Sequence, residues 1–344
     1  MRNNGIWLCT RRLFNPFRLQ TGMTANRGIR QIHQSDVNLT KRTLVLTFDA
    51  FETLYHPFEP IAKQYASVAH YFGLSSTLVT EERLRTSFKD VFKAQVKKRP
   101  NYGREDVLRG EYRGPRQWWD EVIRLTFEQA MRKGEDNDVD GDERNANKKE
   151  GTYAVVPEAL VESLLDRFSS SEGYKFYDDV VPFLEKMERM KCIGNSNTAW
   201  IFDRVLLGVI SNSDDRVFGV LKSLGLTGRA VQHGLSSSNK LAPIDFVITS
   251  YEAGEEKPSR AIFDVAKREA HRLADREGDQ DGHKGWVYVH VGDHYEKDYR
   301  AAINAGWNSY FLLREKDSDE NGPANATTIH SLMDLFTELE RKYS

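Results

Sequence analysis

The chain has 344 residues, 29% of them charged, and a formal net charge of -2. That length buries a sizeable core in one large domain or two smaller ones, and a near-neutral balance with no basic run beyond the amino terminus argues against nucleic acid as a partner. Nine histidines and two cysteines, Cys9 and Cys192, fall into no zinc-ligand spacing and build no disulfide scaffold, and no apolar run reaches the ~18 residues of a membrane span.

Residues 1–40 stand apart from the rest. Arg2, Arg11, Arg12, Arg18, Arg27 and Arg30 come with no acid before Asp36, and Ile6, Trp7, Leu13, Phe14, Phe17 and Leu19 supply apolar faces. An arginine-rich, acid-free, amphipathic start is the composition of a mitochondrial presequence. The other reading is a tail without fixed structure, which leaves cytoplasm or nucleus as the location. Met23 is a possible second start.

The first predicted strand is Leu44 to Phe48, in the stretch LTFDAFETLYHP. Residues 58–175 then read as helical. Apolar residues recur at helix spacing at Ile61, Tyr65, Val68, Ala69 and Phe72, at Leu84, Phe88, Val91 and Phe92, at Trp118, Trp119, Val122, Ile123 and Leu125, and at Leu160, Leu164, Leu165 and Phe168, with Pro157 opening the last helix. Four amphipathic helices need a shared core, so 58–175 reads as a helical cap inserted between residues 41–57 and 176–344. Paired tryptophans at helix spacing read as packing rather than as a ligand pocket. Within the cap, residues 134–151 are charged and nearly free of apolar residues, the composition of a solvated loop, as are 275–285 and 314–326. The acids Asp136 to Asp142 resemble the start of a calcium loop, but its glycine and terminal glutamate are misplaced. Residues 192–204 make a connection longer than a helix-to-strand link requires.

Four more strands follow, at Val205 to Ile210, Phe246 to Thr249, Val287 to Val291 and Ser309 to Leu313, each followed by a turn, and the alternation with helices predicts an α/β fold with a parallel sheet covered on both faces. The carboxyl ends of parallel strands lie on one edge, where such folds keep their ligands. Polar residues stand at these ends in order: Asp49, then Ser211 and Asn212, then Lys257, then Asp293, with Asp298 close behind. A carboxylate nucleophile, a hydroxyl, an ammonium and carboxylates suited to magnesium are together the equipment of phosphoryl transfer.

In order, DAFETL, VISNSDD, EEKPSRAIF and GDHYEKD resemble the four-motif series of the haloacid dehalogenase (HAD) superfamily, over roughly residues 43–315 and including NYGRED and PRQWWDEVI within the insert. The resemblance implies a Rossmann-like core with a helical cap. It implies Asp49 as nucleophile, Ser211 and Lys257 as catalytic partners, and Thr53 and Asn212 on the substrate side. It also implies Mg2+ held by Asp49, the backbone carbonyl of Phe51, Asp293 and Asp298, and a small phosphorylated metabolite or other small anion as substrate. Phosphatases of the family carry a second aspartate where this chain has Phe51, and a phenyl ring neither protonates a leaving group nor activates water. Glu52, where the family usually has a small residue, is a second departure and reads as a surface or loop-capping residue. Three functions remain open: a magnesium-dependent hydrolase restricted in its phosphate substrates, a non-catalytic member that binds a phosphorylated ligand or a protein, and a 2-haloacid dehalogenase. The dehalogenase branch also has an aromatic residue at this position but needs no metal.

Overall fold

A computed structural model describes residues 42–137, 155–193, 200–226, 244–276, 285–314 and 325–344. Chain contacts divide the protein into residues 1–39 and a compact unit of residues 40–344. The presequence-like segment, residues 138–151 of the acidic stretch 134–151, the central part of 192–204 and most of 275–285 and 314–326 lie outside the described residues.

β1 (Thr43–Phe48) is buried along its whole length, as a central parallel strand must be. Its residues alternate between two cores: Leu44, Leu46 and Phe48 face one, Val45 the other. The chain then makes β2 (Tyr55–Pro57) and a run of helices: α1 (Ile61–Tyr71), α2 (Glu81–Lys98), a 3-10 turn at Asn101–Gly103, α3 (Arg104–Leu108), α4 (Pro115–Asn137) and α5 (Glu158–Arg167). Thr80 caps α2, its side chain accepting from the Arg83 N–H at 3.3 Å. Tyr65 of α1, Leu84 of α2, Phe127 of α4 and Leu164 of α5 share one buried cluster, and Trp118, Val122 and Val91 form a second beside it. The chain returns through β3 (Tyr174–Phe176), antiparallel to β2, so this short hairpin brackets the helical insert.

The remaining elements are α6 (Val180–Ile193), β4 (Arg204–Ser211), α7 (Arg216–Ser223), β5 (Phe246–Thr249), α8 (Ser250–Ala253), α9 (Arg260–Arg276), β6 (Trp286–Gly292), a π-helical turn at Tyr295–Arg300, α10 (Ala301–Asn304), β7 (Asn308–Leu312), β8 (Thr328–Ile329) and α11 (Asp334–Tyr343). The strands form one six-stranded parallel sheet in the order β5-β4-β1-β6-β7-β8. Phe183 of α6, Leu221 of α7 and Leu335 of α11 cover one face, while Phe263 of α9 and Ala302 of α10 cover the other. This is the α/β Rossmann-like core expected from the sequence. No described helix is long and apolar enough to cross a membrane.

Three loop readings need correcting. α4 continues to Asn137, into the stretch read as loop from residue 134, and α9 continues to Arg276. Arg314, read as the start of an exposed loop, is buried, for a reason given below.

Gly208 in β4 lies under the buried Phe246 ring, where a Cβ would stand 2.4 Å from ring carbons. Gly208→Ala is therefore expected to cost about 1–3 kcal/mol by overpacking, read as an earlier midpoint in urea denaturation.

Candidate active site

Parallel strands put their carboxyl ends on one edge, and the four predicted motifs meet there. Asp49 leaves β1 with its N–H donating to the Val291 carbonyl of β6 at 2.9 Å, which fixes the nucleophile candidate between two strands. Lys257 is almost fully buried, and its ammonium donates to Asp49 Oδ1 at 2.6 Å, Asp298 Oδ1 at 2.6 Å and the Ile210 carbonyl at 2.8 Å. Those three acceptors take all three ammonium hydrogens.

Asp49, Asp293 and Asp298 each present an oxygen, and these oxygens lie within 4.8 Å of one another. Their surroundings differ. Both Asp298 oxygens are already engaged, one with Lys257 and the other with the His294 N–H at 2.9 Å. Asp293 Oδ1 accepts from the Thr53 hydroxyl at 2.8 Å, and the second oxygens of Asp49 and Asp293 accept nothing from the described residues. No described hydrogen bond ends on the Phe51 carbonyl either.

Electrostatics divide the trio further. Burial, together with the charges of Asp49 and Asp298, pushes Asp293 up to about 7. Asp49 is raised as well, chiefly by burial and then by Asp298, with Lys257 opposing. Burial works against the Asp298 charge too, but Lys257 and His290 outweigh it and hold that carboxyl below its ordinary value. Lys257 loses solvation yet ends above its usual value because both aspartates favour its charge. Three ionised carboxylates with one ammonium leave a buried negative excess that a hard divalent cation would neutralise, so the donor set fits magnesium. Magnesium is accordingly expected to raise the melting temperature, equivalent to about 2.7 kcal/mol at a hundred times its Kd. Asp293→Asn should remove most of that shift in a thermal melt.

The structure gives several predicted residues more specific surroundings than the motifs convey. Ser211, at the end of β4, is buried, and its hydroxyl makes no hydrogen bond among the described residues, which leaves a donor for a ligand. Asn212 turns its amide onto the Lys257 backbone instead of towards a substrate. Its Oδ1 accepts from the Lys257 N–H at 2.6 Å and its Nδ2 donates to the Lys257 carbonyl at 2.8 Å. Thr53, fully buried, orients Asp293. Glu52 has a φ of 59°, a left-handed conformation that favours glycine, and its carboxylate accepts from the Tyr177 hydroxyl at 2.6 Å. The small residue usual in the family at this position thus has a backbone reason.

Phe51 is 39% exposed, with its ring edge-on to Tyr55 and Tyr174. It lines a cavity of about 570 Å³ between the first loop and α1 and α2.

Other contacts at the site were not foreseen. His290, buried in β6, bridges Thr47 Oγ1 at 2.9 Å and Asp298 Oδ1 at 3.4 Å. Ionised Asp298 has no hydrogen to give, so the His290 Nε2 carries a proton, while the single Thr47 hydroxyl hydrogen also faces the Val289 carbonyl at 3.2 Å. Arg314 forks onto both oxygens of Asp179 at 2.9 Å and donates to the Thr53 carbonyl, tying β7 to the first loop. Burial of this cation is explained by that pairing. The sequence signal was the position of Arg314 immediately after a strand, obscured by the polar run that follows.

The insert is fastened to α8 and to the loop after β4. Asn101 exchanges hydrogen bonds with Ser250, and Tyr102 donates to the Asn212 carbonyl at 3.3 Å. The Trp119 indole donates to the buried Asp214 at 2.7 Å, while Arg216 pairs with Asp214 at 2.9 Å and lies over the Trp119 ring. Asn101, Tyr102 and Gly103 all have positive φ, so NYG is a tight left-handed turn that aims two side chains at the sheet edge. Trp118, by contrast, is buried in the insert. The two tryptophans therefore split between packing and the site boundary.

No family model matches the chain. It is 29% identical over 275 residues to haloacid dehalogenase-like hydrolase domain-containing protein 3 of Bos taurus, a match covering 80% of this chain and 84% of that protein. Against the Homo sapiens protein of the same name the identity is 28% over 269 residues, covering 78% and 81%. A similar solved structure is that of YfnB from Bacillus subtilis bound to magnesium, with 16% identity, 87% of this chain and 99% of that chain covered, and a TM-score of 0.47.

Proposed function

The chain belongs to the haloacid dehalogenase-like hydrolase superfamily, and from that premise we propose that it hydrolyses phosphate monoesters with acidic leaving groups, with Asp49 as the nucleophile. The observation that carries this is a strand-end carboxylate held by Lys257 at 2.6 Å, with a phenyl ring two residues on where a proton donor would be needed.

In the first step an oxygen of Asp49 bonds to phosphorus, and the leaving oxygen departs with the electron pair of the broken P–O bond. Phe51 has no proton to give, so the departing oxyanion has to be stable on its own, as an aryloxide or a carboxylate is. In the second step water attacks the phosphorus of the aspartyl phosphate. The Asp49 carboxylate is regenerated, and the protons of the water remain on the released phosphate. Ser211 donates to an oxygen that gains charge, and the Lys257 ammonium, its three hydrogens engaged, supplies positive charge beside Asp49. Asn212 keeps the Lys257 backbone in place, and Thr53 keeps Asp293 turned inward. Asp49, Asp293 and the Phe51 carbonyl would hold magnesium, with Asp298 supporting them through Lys257, and the ion would supply positive charge to the phosphoryl oxygens.

The test is turnover of 4-nitrophenyl phosphate under saturating magnesium. Asp49→Asn is expected to lose it by ~10⁴-fold or more, since removing a nucleophile typically costs that much. Wild-type turnover no faster than that of Asp49→Asn would defeat the hydrolase reading in favour of a ligand- or protein-binding member. Metal-independent halide release from a short 2-haloacid would instead identify a dehalogenase.

A further inference from the structure

We propose that the cavity beside Phe51 is a leaving-group chamber that selects aryl phosphates over phosphorylated sugars and polyols. The inference rests on the hydrolase reading and names its substrate class. Two independent features meet in it.

The first is chemical. With no acid at position 51, a substrate is turned over only if its leaving oxygen departs unprotonated, and phenol oxygens do so far more readily than alcohol oxygens. The second is the lining. Phe51, Phe58, Ile61, Tyr65, Leu84 and Phe88 supply aromatic and aliphatic walls to a volume of about 570 Å³, ample for one or two fused rings. Phe51 and Phe58 are 39% and 59% exposed, an unusual display of phenyl surface. Phe51 lines the cavity and stands two residues after Asp49, so the cavity opens beside the loop that carries the nucleophile.

Two carboxylates at its edge already have partners. Glu52 is occupied by Tyr177 at 2.6 Å and Glu59 by Lys63 at 2.7 Å. Against the aromatic and aliphatic walls a sugar would lose hydration without recovering its hydrogen bonds. A flat ring would bury apolar surface against edges and faces of phenyl groups.

Two substrates separate the chamber from the chemistry. Acetyl phosphate has a good leaving group but nothing to fill the chamber, whereas 1-naphthyl phosphate fills it. The ratio of kcat/KM for 1-naphthyl phosphate over acetyl phosphate is expected to fall at least tenfold in Ala62→Trp, which places an indole in the chamber from α1. A binding arm needs no turnover: in Asp49→Asn, 1-naphthyl phosphate, followed by its own fluorescence, is expected to bind at least tenfold tighter than glycerol 3-phosphate does in competition. Adding Ala62→Trp to that background should abolish the preference. An unchanged kcat/KM ratio in Ala62→Trp, or equal binding of the naphthyl and glycerol esters, would overturn the chamber. Failure of wild type to hydrolyse acetyl phosphate would count against the hydrolase reading alone, because the binding arm still decides what the chamber takes.

Discussion

Replacing Phe51 with aspartate is expected to raise kcat/KM for an alkyl phosphate such as glycerol 3-phosphate by ~10²- to 10⁴-fold, the usual contribution of a positioned general acid or base. The gain should be largest for the most basic leaving oxygen and small for 4-nitrophenyl phosphate, which departs without a proton. A plot of rate against leaving-group pKa would show this as a steep slope in the natural protein and a shallow one in Phe51→Asp. The exposed ring touches Tyr55 and Tyr174 only through edge contacts, so the substitution leaves the buried core intact. If Phe51→Asp leaves alkyl phosphates as slow as before, proton transfer is not what limits this protein.

Lys257→Met should be the most destabilising change at the site. It removes the cation that two buried carboxylates share at 2.6 Å each, leaving both uncompensated. Breaking such a pair costs about 3–5 kcal/mol, measurable as a lower urea midpoint, and the lost positive charge beside the reacting group should cost ~10²- to 10³-fold in turnover of an aryl phosphate. Magnesium should recover part of the stability, because it supplies positive charge beside the same carboxylates, but none of the turnover. A variant as stable as wild type without metal would mean that Asp49 and Asp298 are not both charged in the folded protein.

The sheet and its chemical edge were legible because a buried parallel strand needs an unbroken apolar run, and the residue ending each run stood out by its polarity. Asp49, Ser211 and Asp293 stand out in order for that reason, whereas Lys257 lies beyond α8 and is marked out by the EEKPSRAIF motif instead. The three-residue strands β2 and β3 were not legible, since three residues carry no periodicity, although they frame the insert. Asn212 shows a different limit. Its residue type suits a ligand and a backbone clamp equally well, and only the position of the Lys257 backbone, 45 residues on, decides between them. Arg314 was hidden because its carboxylate partner, Asp179, lies far away in the chain. At Gly134 and beyond, composition pointed to a loop, but helix propagation is cheap once α4 is formed and carried it on to Asn137.

The contact between Trp119 and the loop after β4 has an asymmetry. Asp214 and Arg216 both belong to the sheet side, and only the neutral indole comes from the insert. Swinging the insert away would therefore break hydrogen bonds and a ring stack but leave the carboxylate with its guanidinium, so no charge is stranded. The seam is electrically self-contained, and its opening equilibrium should respond little to salt. The same seam carries an intrinsic reporter, since the Trp119 indole would pass from a guanidinium-covered site into water as it opens.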